Sequence, residues 1–94
     1  MAKDDKIKKA AALRYDASRN AAPVLVAGGR GAVAEKILEL GKEAGVPVVE
    51  DPDLAEMLGA FPVGKEIPPE LYRAVAEVLA FVYRAGKRFR GLGG

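Results

Sequence analysis

The apolar run at residues 23–27, Pro-Val-Leu-Val-Ala, constrains the fold of this 94-residue chain more than any other feature. A strand with one solvated face alternates apolar and polar residues, whereas a strand buried on both faces is continuously apolar. The run therefore predicts a central strand. Residues 10–15 form a shorter apolar run that predicts another strand, and the polar residues 16–20 between them predict a turn that contains Ser18.

The residues after the central strand predict a helix and a further strand. Apolar residues recur there at the spacing of one helix face: Val33, Ile37, Leu40 and Ala44. Gly45 predicts the end of this helix. Residues 46–50, Val-Pro-Val-Val-Glu, then resume an apolar, β-branched strand pattern. Strand, helix and strand together predict a βαβ unit with a right-handed crossover and a parallel strand pair.

Two helices complete the predicted fold. The first is short and spans residues 51–59, and the second starts near Pro68 or Pro69 and ends near Ala85. The apolar arc of the second helix is wide enough either to cover a sheet face or to leave part of itself exposed for binding. We expect an α/β fold: a small mixed sheet of three to four strands with a βαβ unit, flanked by about three to four helices, the last of them long.

The length allows a single domain. We expect a basic N-terminal arm at residues 1–9, the domain at residues 10–86, and a flexible basic and glycine-rich tail at residues 87–94. The first residues lack the apolar region of a secretory signal, and no apolar stretch approaches the roughly 20 residues of a spanning helix. A cytoplasmic location without membrane insertion is therefore expected.

The residue inventory excludes most catalytic chemistry. The chain has no Cys, His, Thr, Gln or Trp, and Ser18 and Asn20 are its only serine and asparagine. Disulfides, thiolate nucleophiles, the usual zinc sites and a Ser-His-Asp triad are thus ruled out. Glu50, Asp51 and Asp53 form the densest acidic group; they would either bind Mg²⁺ or begin a helix, with Asp51 as its N-cap. We favour the helix start and predict no enzyme activity, no metal and no cofactor.

Residues 28–31, Gly-Gly-Arg-Gly, lie where a strand would lead into a helix. Backbone N–H groups at such a position can bind a phosphate. The segment matches neither G-x-G-x-x-G nor G-x-x-x-x-G-K-[ST]. A tight strand-to-helix turn explains the glycines without any ligand.

Charge is segregated along the chain, although the net charge is only +2. Residues 31–70 hold three Lys or Arg against nine Asp or Glu, and both ends are basic. The basic clusters at residues 6–9 and 84–90 would serve either to bind RNA or an acidic protein or simply as solvated ends. The pattern alone leaves both interpretations open.

Four segments occur in a distinctive order: AALRYD at residues 11–16, APVLVA at 22–27, GVPVVE at 45–50, and VGKEIPPELY at 63–72 leading into AVAEVLAFVY at 74–83. Together they resemble the cytoplasmic C-terminal domain of the FlhB/YscU family, the substrate-specificity switch proteins of flagellar and virulence type III secretion. The similarity covers roughly residues 10–84. It implies a non-enzymatic component of the flagellar protein export apparatus, cytoplasmic and peripheral to the membrane export gate.

Members of that family cleave themselves between Asn and Pro of an Asn-Pro-Thr-His motif. Residues 5–8, Asp-Lys-Ile-Lys, occupy the motif's place here, and Asn20 precedes Ala21. Cleavage needs the Asn side-chain amide to attack its own carbonyl, so no autocleavage is expected. The resemblance also suggests a stand-alone relative without the membrane domain and without the strand that precedes the motif.

The resemblance further implies an apolar surface for early export substrates, which maps onto Ala22, Pro23, Ala76 and Leu79. Its implied partners are rod- and hook-type export substrates and export apparatus proteins, with no nucleic acid. Ala76 and Leu79 are three residues apart and share a helix face, which suits a short peptide, although each could equally be a core residue.

Two further possibilities stay open. Residues 37–58 also resemble the ribosomal L7Ae-type RNA-binding fold, although the Gly-rich Asn-Glu motif of that family is not found. An unpaired sheet edge would allow self-association of the chain.

Overall fold

The computed structural model describes residues 7–93, with the side chains of residues 7–85. Within this range it contains two strands and three α-helices: β1 Lys9–Arg14, β2 Val24–Arg30, α1 Ala32–Glu43, α2 Pro52–Gly59 and α3 Tyr72–Gly93, the last preceded by a 3₁₀ turn at Pro69–Leu71. The α/β class and the long C-terminal helix are confirmed. Helix α3 extends past the end near Ala85 that the sequence predicts. The division into arm, domain and tail stays a prediction, and residues 1–6 and 94 lie outside the described part.

Strand β2 is hydrogen-bonded along both of its edges. On one side it pairs antiparallel with β1, in a register that runs from Lys9 opposite Arg30 to Arg14 opposite Val24. On the other side the Leu25 N–H donates to the Lys65 carbonyl at 3.0 Å, and the Gly64 N–H donates to the Leu25 carbonyl at 2.7 Å. The start of the apolar run thus lies between two hydrogen-bonding neighbours, as predicted for a central strand, whereas its predicted burial on both faces is wrong because Val26 is 39% exposed.

The predicted βαβ unit is wrong. Residues 46–50 form no strand, and the sheet of the described chain has two antiparallel strands rather than a mixed set of three to four. The physical reason lies in β2, because β1 and residues 64–67 occupy both of its hydrogen-bonding edges and leave none for a parallel neighbour. In the described chain β1 pairs only with β2, and self-association through its second edge stays a prediction.

Helices α1 and α2 lie on opposite faces of the sheet. A Cβ placed on Gly28 would lie 3.7 Å from the Gly59 Cα in α2, whereas one placed on Gly29 would overlap the side chain of Val33 in α1. Successive residues of a strand face opposite sides, so the two glycines mark the two layers. The Gly-rich segment is therefore mostly strand and not a loop, and only Gly31, at φ 60°, makes the turn into α1.

The main core lies on the α2 side of the sheet. Its buried members are Ala22, Leu25, Leu54, Leu58, Ile67, Leu71 and Val75. Helix α1 packs differently from the prediction: Ala34 is fully buried, but Val33 and Leu40 are 56% and 52% exposed. Because Gly29 has no side chain, the first turn of α1 approaches the sheet closely, with the Val33 side chain in the space beside Gly29.

Helix α2 begins as the sequence predicts. An Asp51 carboxylate oxygen accepts a hydrogen bond from the Leu54 N–H at 3.1 Å, and Pro52 occupies the first turn. Asp53 also lies in this turn, near the positive end of the helix dipole. Among the described residues no group of acidic side chains is arranged to hold a metal ion. Asp51 and Asp53 thus lie at the helix start, as predicted.

Candidate functional site

An apolar groove of about 190 Å³ lies between α3 and the chain that joins β1 to β2. Its lining residues are Tyr15, Ala21, Ala22, Pro23, Tyr72, Val75, Ala76 and Leu79. Helix α3 provides one wall through residues one turn apart, and the residues just before β2 provide the other. Apart from two tyrosine hydroxyls, the lining side chains are apolar.

All four residues that the resemblance singles out line this groove. Ala22 and Pro23, in the wall before β2, are buried, and Ala22 also belongs to the core cluster. Ala76 is exposed and Leu79 is half-buried, so the α3 wall is the part that a ligand would meet first. Ala22 and Pro23 are therefore buried residues, whereas Ala76 and Leu79 are accessible at the surface of the groove.

Sequence reasoning missed the other half of the lining. Tyr72 and Val75 lie one helical turn from Ala76 and Leu79, so the helical spacing could have found them. Tyr15 and Ala21 carry no such signal, because only the path of the turn brings them to the groove. Tyr15 and Tyr72 are both partly exposed, at 47% and 43%, and present aromatic rings to it.

The conformation of the β2-side wall is set by residues 64–67. A Glu66 carboxylate oxygen accepts a hydrogen bond from the Ala21 N–H at 3.1 Å. The Ile67 N–H donates to the Pro23 carbonyl at 2.8 Å. Ala22 therefore lies between two residues, Ala21 and Pro23, whose backbone groups are hydrogen-bonded to residues 66 and 67.

The turn between the strands is held by Asp16. Its backbone carbonyl accepts from the N–H groups of Arg19 and Asn20, both at 2.9 Å. Its carboxylate accepts from the Ser18 hydroxyl at 2.6 Å and from the Ser18 N–H at 3.1 Å. These bonds, with a smaller contribution from the charge of Arg14, hold the pKa of Asp16 below its ordinary value. Ser18 is thus a turn residue, as predicted.

A second, polar concavity of about 420 Å³ adjoins the same turn. Arg14, Asp16, Arg19 and Asn20 line it. The guanidinium groups of the two arginines make no hydrogen bond or salt bridge with a described residue. The polar site and the groove therefore share the stretch of chain from residue 14 to residue 23.

The basic clusters are described only in part. The Lys9 ammonium forms a salt bridge with Glu56 of α2 at 2.5 Å, and this lowers the pKa of Glu56. Lys9 thus ties β1 to α2. Lys6 and the side chains of residues 86–90 lie outside the described part.

A model of the FlhB, HrpN, YscU and SpaS family matches residues 7–82. The chain belongs to this family. FlhB of Aquifex aeolicus, a flagellar biosynthetic protein, is 49% identical over 74 residues, which are 78% of this chain but 21% of that protein. Uncharacterized protein YlqH of Bacillus subtilis is 44% identical over 78 residues, which are 83% of this chain and 84% of that protein. The chain thus spans about a fifth of the FlhB relative and most of YlqH.

The fold agrees with the family. The crystal structure of the cytoplasmic domain of FlhB from Shewanella putrefaciens superposes with a TM-score of 0.76 at 39% identity, covering 80% of this chain and 61% of that domain. In the described residues no helix is both long and apolar enough to cross a membrane. The L7Ae-type alternative has no support, because the strand it required at residues 46–50 is not formed.

Proposed function

We propose that this family member is a non-enzymatic component of the flagellar type III protein export apparatus. It binds unfolded segments of rod- and hook-type export substrates, and export apparatus proteins, in the cytoplasm beside the membrane export gate. The observation that carries this proposal is the apolar groove that Ala22, Pro23, Ala76 and Leu79 line together with two tyrosines.

The size and chemistry of the groove support a peptide ligand. Its volume of about 190 Å³ lies below the roughly 300 to 1,000 Å³ of small-molecule and cofactor pockets. Its lining carries no charged side chain. A short apolar stretch of an unfolded chain fits such a surface, since one or two large side chains fill it and the flanking residues stay solvated.

The proposed role involves no self-cleavage. Ser18 is engaged with Asp16 in the turn, and Asn20 precedes Ala21 and not proline. Asp5 and Lys6, at the place of the family's cleavage motif, lie outside the described part. Without an Asn-Pro bond there, the chain supports export without a cleavage-dependent switch of substrate specificity.

A ¹⁵N-HSQC titration with the N-terminal segment of a flagellar rod or hook protein tests the proposal. We expect shifts in the amides of residues 21–23 and 72–79. Ala76→Asp places a charge in the groove and is expected to weaken binding at least tenfold. Ala80→Asp is the matched control, because Ala80 is an exposed residue of the same helix outside the groove.

Two results would contradict the proposal. One is the absence of binding by several rod and hook segments to a chain whose spectrum shows it folded. The other is equal weakening by the two aspartate variants, which would show that the peptide is attracted by general charge and not held in the groove.

A further inference from the structure

We infer that the peptide bound in the groove carries an acidic side chain next to its apolar residues, and that Arg14 and Arg19 bind this carboxylate. The inference rests on the proposed function, because it specifies the ligand of the same groove. The observation that carries it is the polar site beside the groove, where two guanidinium groups have no hydrogen-bond or salt-bridge partner among the described residues.

The two concavities meet along one turn. Arg14 precedes Tyr15 of the groove, and Asn20 of the polar site precedes Ala21 of the groove. Consecutive Cα atoms are about 3.8 Å apart, so the backbone that lines one site continues directly into the backbone that lines the other at both ends of the turn. An extended peptide advances about 3.3 Å per residue. The acidic residue therefore lies within about three positions of the apolar residue in the groove.

The charges of the polar site favour a carboxylate. Two arginines and one aspartate line it, which leaves a positive balance. The Asp16 carboxylate accepts two hydrogen bonds from Ser18, which hold it in the turn. Guanidinium groups bind carboxylates through paired N–H donors, and Asn20 adds an amide donor at the same site.

The groove alone would bind any apolar segment of suitable size. Binding of a carboxylate by the two arginines makes the groove selective. A segment without an acidic residue leaves the arginines solvated and gains no binding energy from them. Both arginines are exposed, so the contribution is that of a surface ion pair. We expect a threefold to tenfold preference, on the order of the energies of such pairs.

The test compares two versions of one rod-protein N-terminal segment. In one version Asp or Glu follows the apolar residues within three positions, and in the other Asn or Gln replaces the acids. Affinities for the wild-type chain are measured by fluorescence anisotropy at low and high salt. We expect the acidic version to bind about threefold to tenfold more tightly at low salt, and the difference to shrink as salt screens the charges.

Variants of the chain show which arginines produce the preference for the acidic peptide. The double variant Arg14→Gln/Arg19→Gln should bind both versions equally, with the affinity of the wild type for the amide version. Arg73→Gln/Arg84→Gln is the matched control, because it removes two exposed arginines of α3 that do not line the polar site. It should keep the preference for the acidic version.

Equal binding of the two versions by the wild type overturns this inference and leaves the proposed function intact. A preference that survives in Arg14→Gln/Arg19→Gln, or is lost equally in the control variant, also overturns it. Failure of both versions to bind the wild type overturns the proposed function and this inference together.

Discussion

The backbone N–H of Ile67 donates a hydrogen bond to the carbonyl oxygen of Pro23 at 2.8 Å. This bond joins Ile67, in the segment between α2 and α3, to Pro23, which lines the groove. Both residues are buried, so the bond is shielded from water. Residues 64–67 therefore both complete the second edge of β2 and shape the groove.

Glu66→Ala should loosen the groove wall. The substitution removes the acceptor of the Ala21 N–H, and the loss of one such bond costs about 0.5–1.5 kcal/mol of unfolding free energy. Faster hydrogen exchange of the Ala21 amide and weaker binding of the rod-protein segment are expected.

Glu66→Gln retains a carbonyl acceptor at this position and should restore both properties. Glu70→Ala serves as the control, since Glu70 is an exposed acid near the groove with no hydrogen bond to a described residue. Equal effects of the two alanine variants on peptide binding would show that only charge is involved.

Gly29→Ala should destabilise the fold far more than Gly28→Ala. A Cβ on Gly29 would lie 2.8 Å from the Cβ of Val33, so α1 has to move away from the sheet, whereas the nearest atom to a Cβ on Gly28 is 3.7 Å away. Overpacking of this kind costs about 1–3 kcal/mol. Urea denaturation of the two variants measures the difference. Similar midpoints would show that α1 adjusts without cost.

Asp51→Ala should cost about 1 kcal/mol of unfolding free energy, because the Leu54 N–H at the start of α2 loses its acceptor. Asp51→Asn keeps a side-chain oxygen at the N-cap and should stay close to the wild type. Thermal denaturation of both variants checks this. If asparagine were as harmful as alanine, charge at the helix start and not capping would be the dominant effect.

The stability of the turn should depend on pH through Asp16. The Ser18 hydrogen bonds hold its pKa below the ordinary value in the folded chain. The carboxylate therefore stabilises the fold above about pH 4, and this contribution is lost as the pH falls through the folded pKa. An NMR titration of the side-chain carboxyl should show the low pKa.

In Ser18→Ala the Asp16 carboxylate loses its hydroxyl partner, and its pKa should rise towards the ordinary value. The amides of Arg19 and Asn20 should then become more dynamic, since they depend on the same turn. An unchanged pKa of Asp16 in this variant would show that the backbone N–H of residue 18 and the charge of Arg14, and not the serine hydroxyl, lower it.

Local features of this protein could be predicted from the sequence because they depend on neighbouring residues. The N-cap at Asp51, the turn at Ser18 and the long helix α3 are of this kind. The strand conformation of β2 followed from its apolar, β-branched composition. The four groove residues came from the resemblance to a family, and the structure places them together.

The tertiary structure alone decided which segments pair. Residues 46–50 have the composition of a strand, but the edges of β2 were taken by β1 and by residues 64–67, which look like a loop. Likewise, the missing side chain at Gly29 allowed the first turn of α1 to approach the sheet closely. A pattern of residues states which backbone conformation and burial a segment prefers. The partner to which a segment is hydrogen-bonded, and how closely it packs against its neighbours, depend on residues far away along the chain. Only the folded structure brings these residues together.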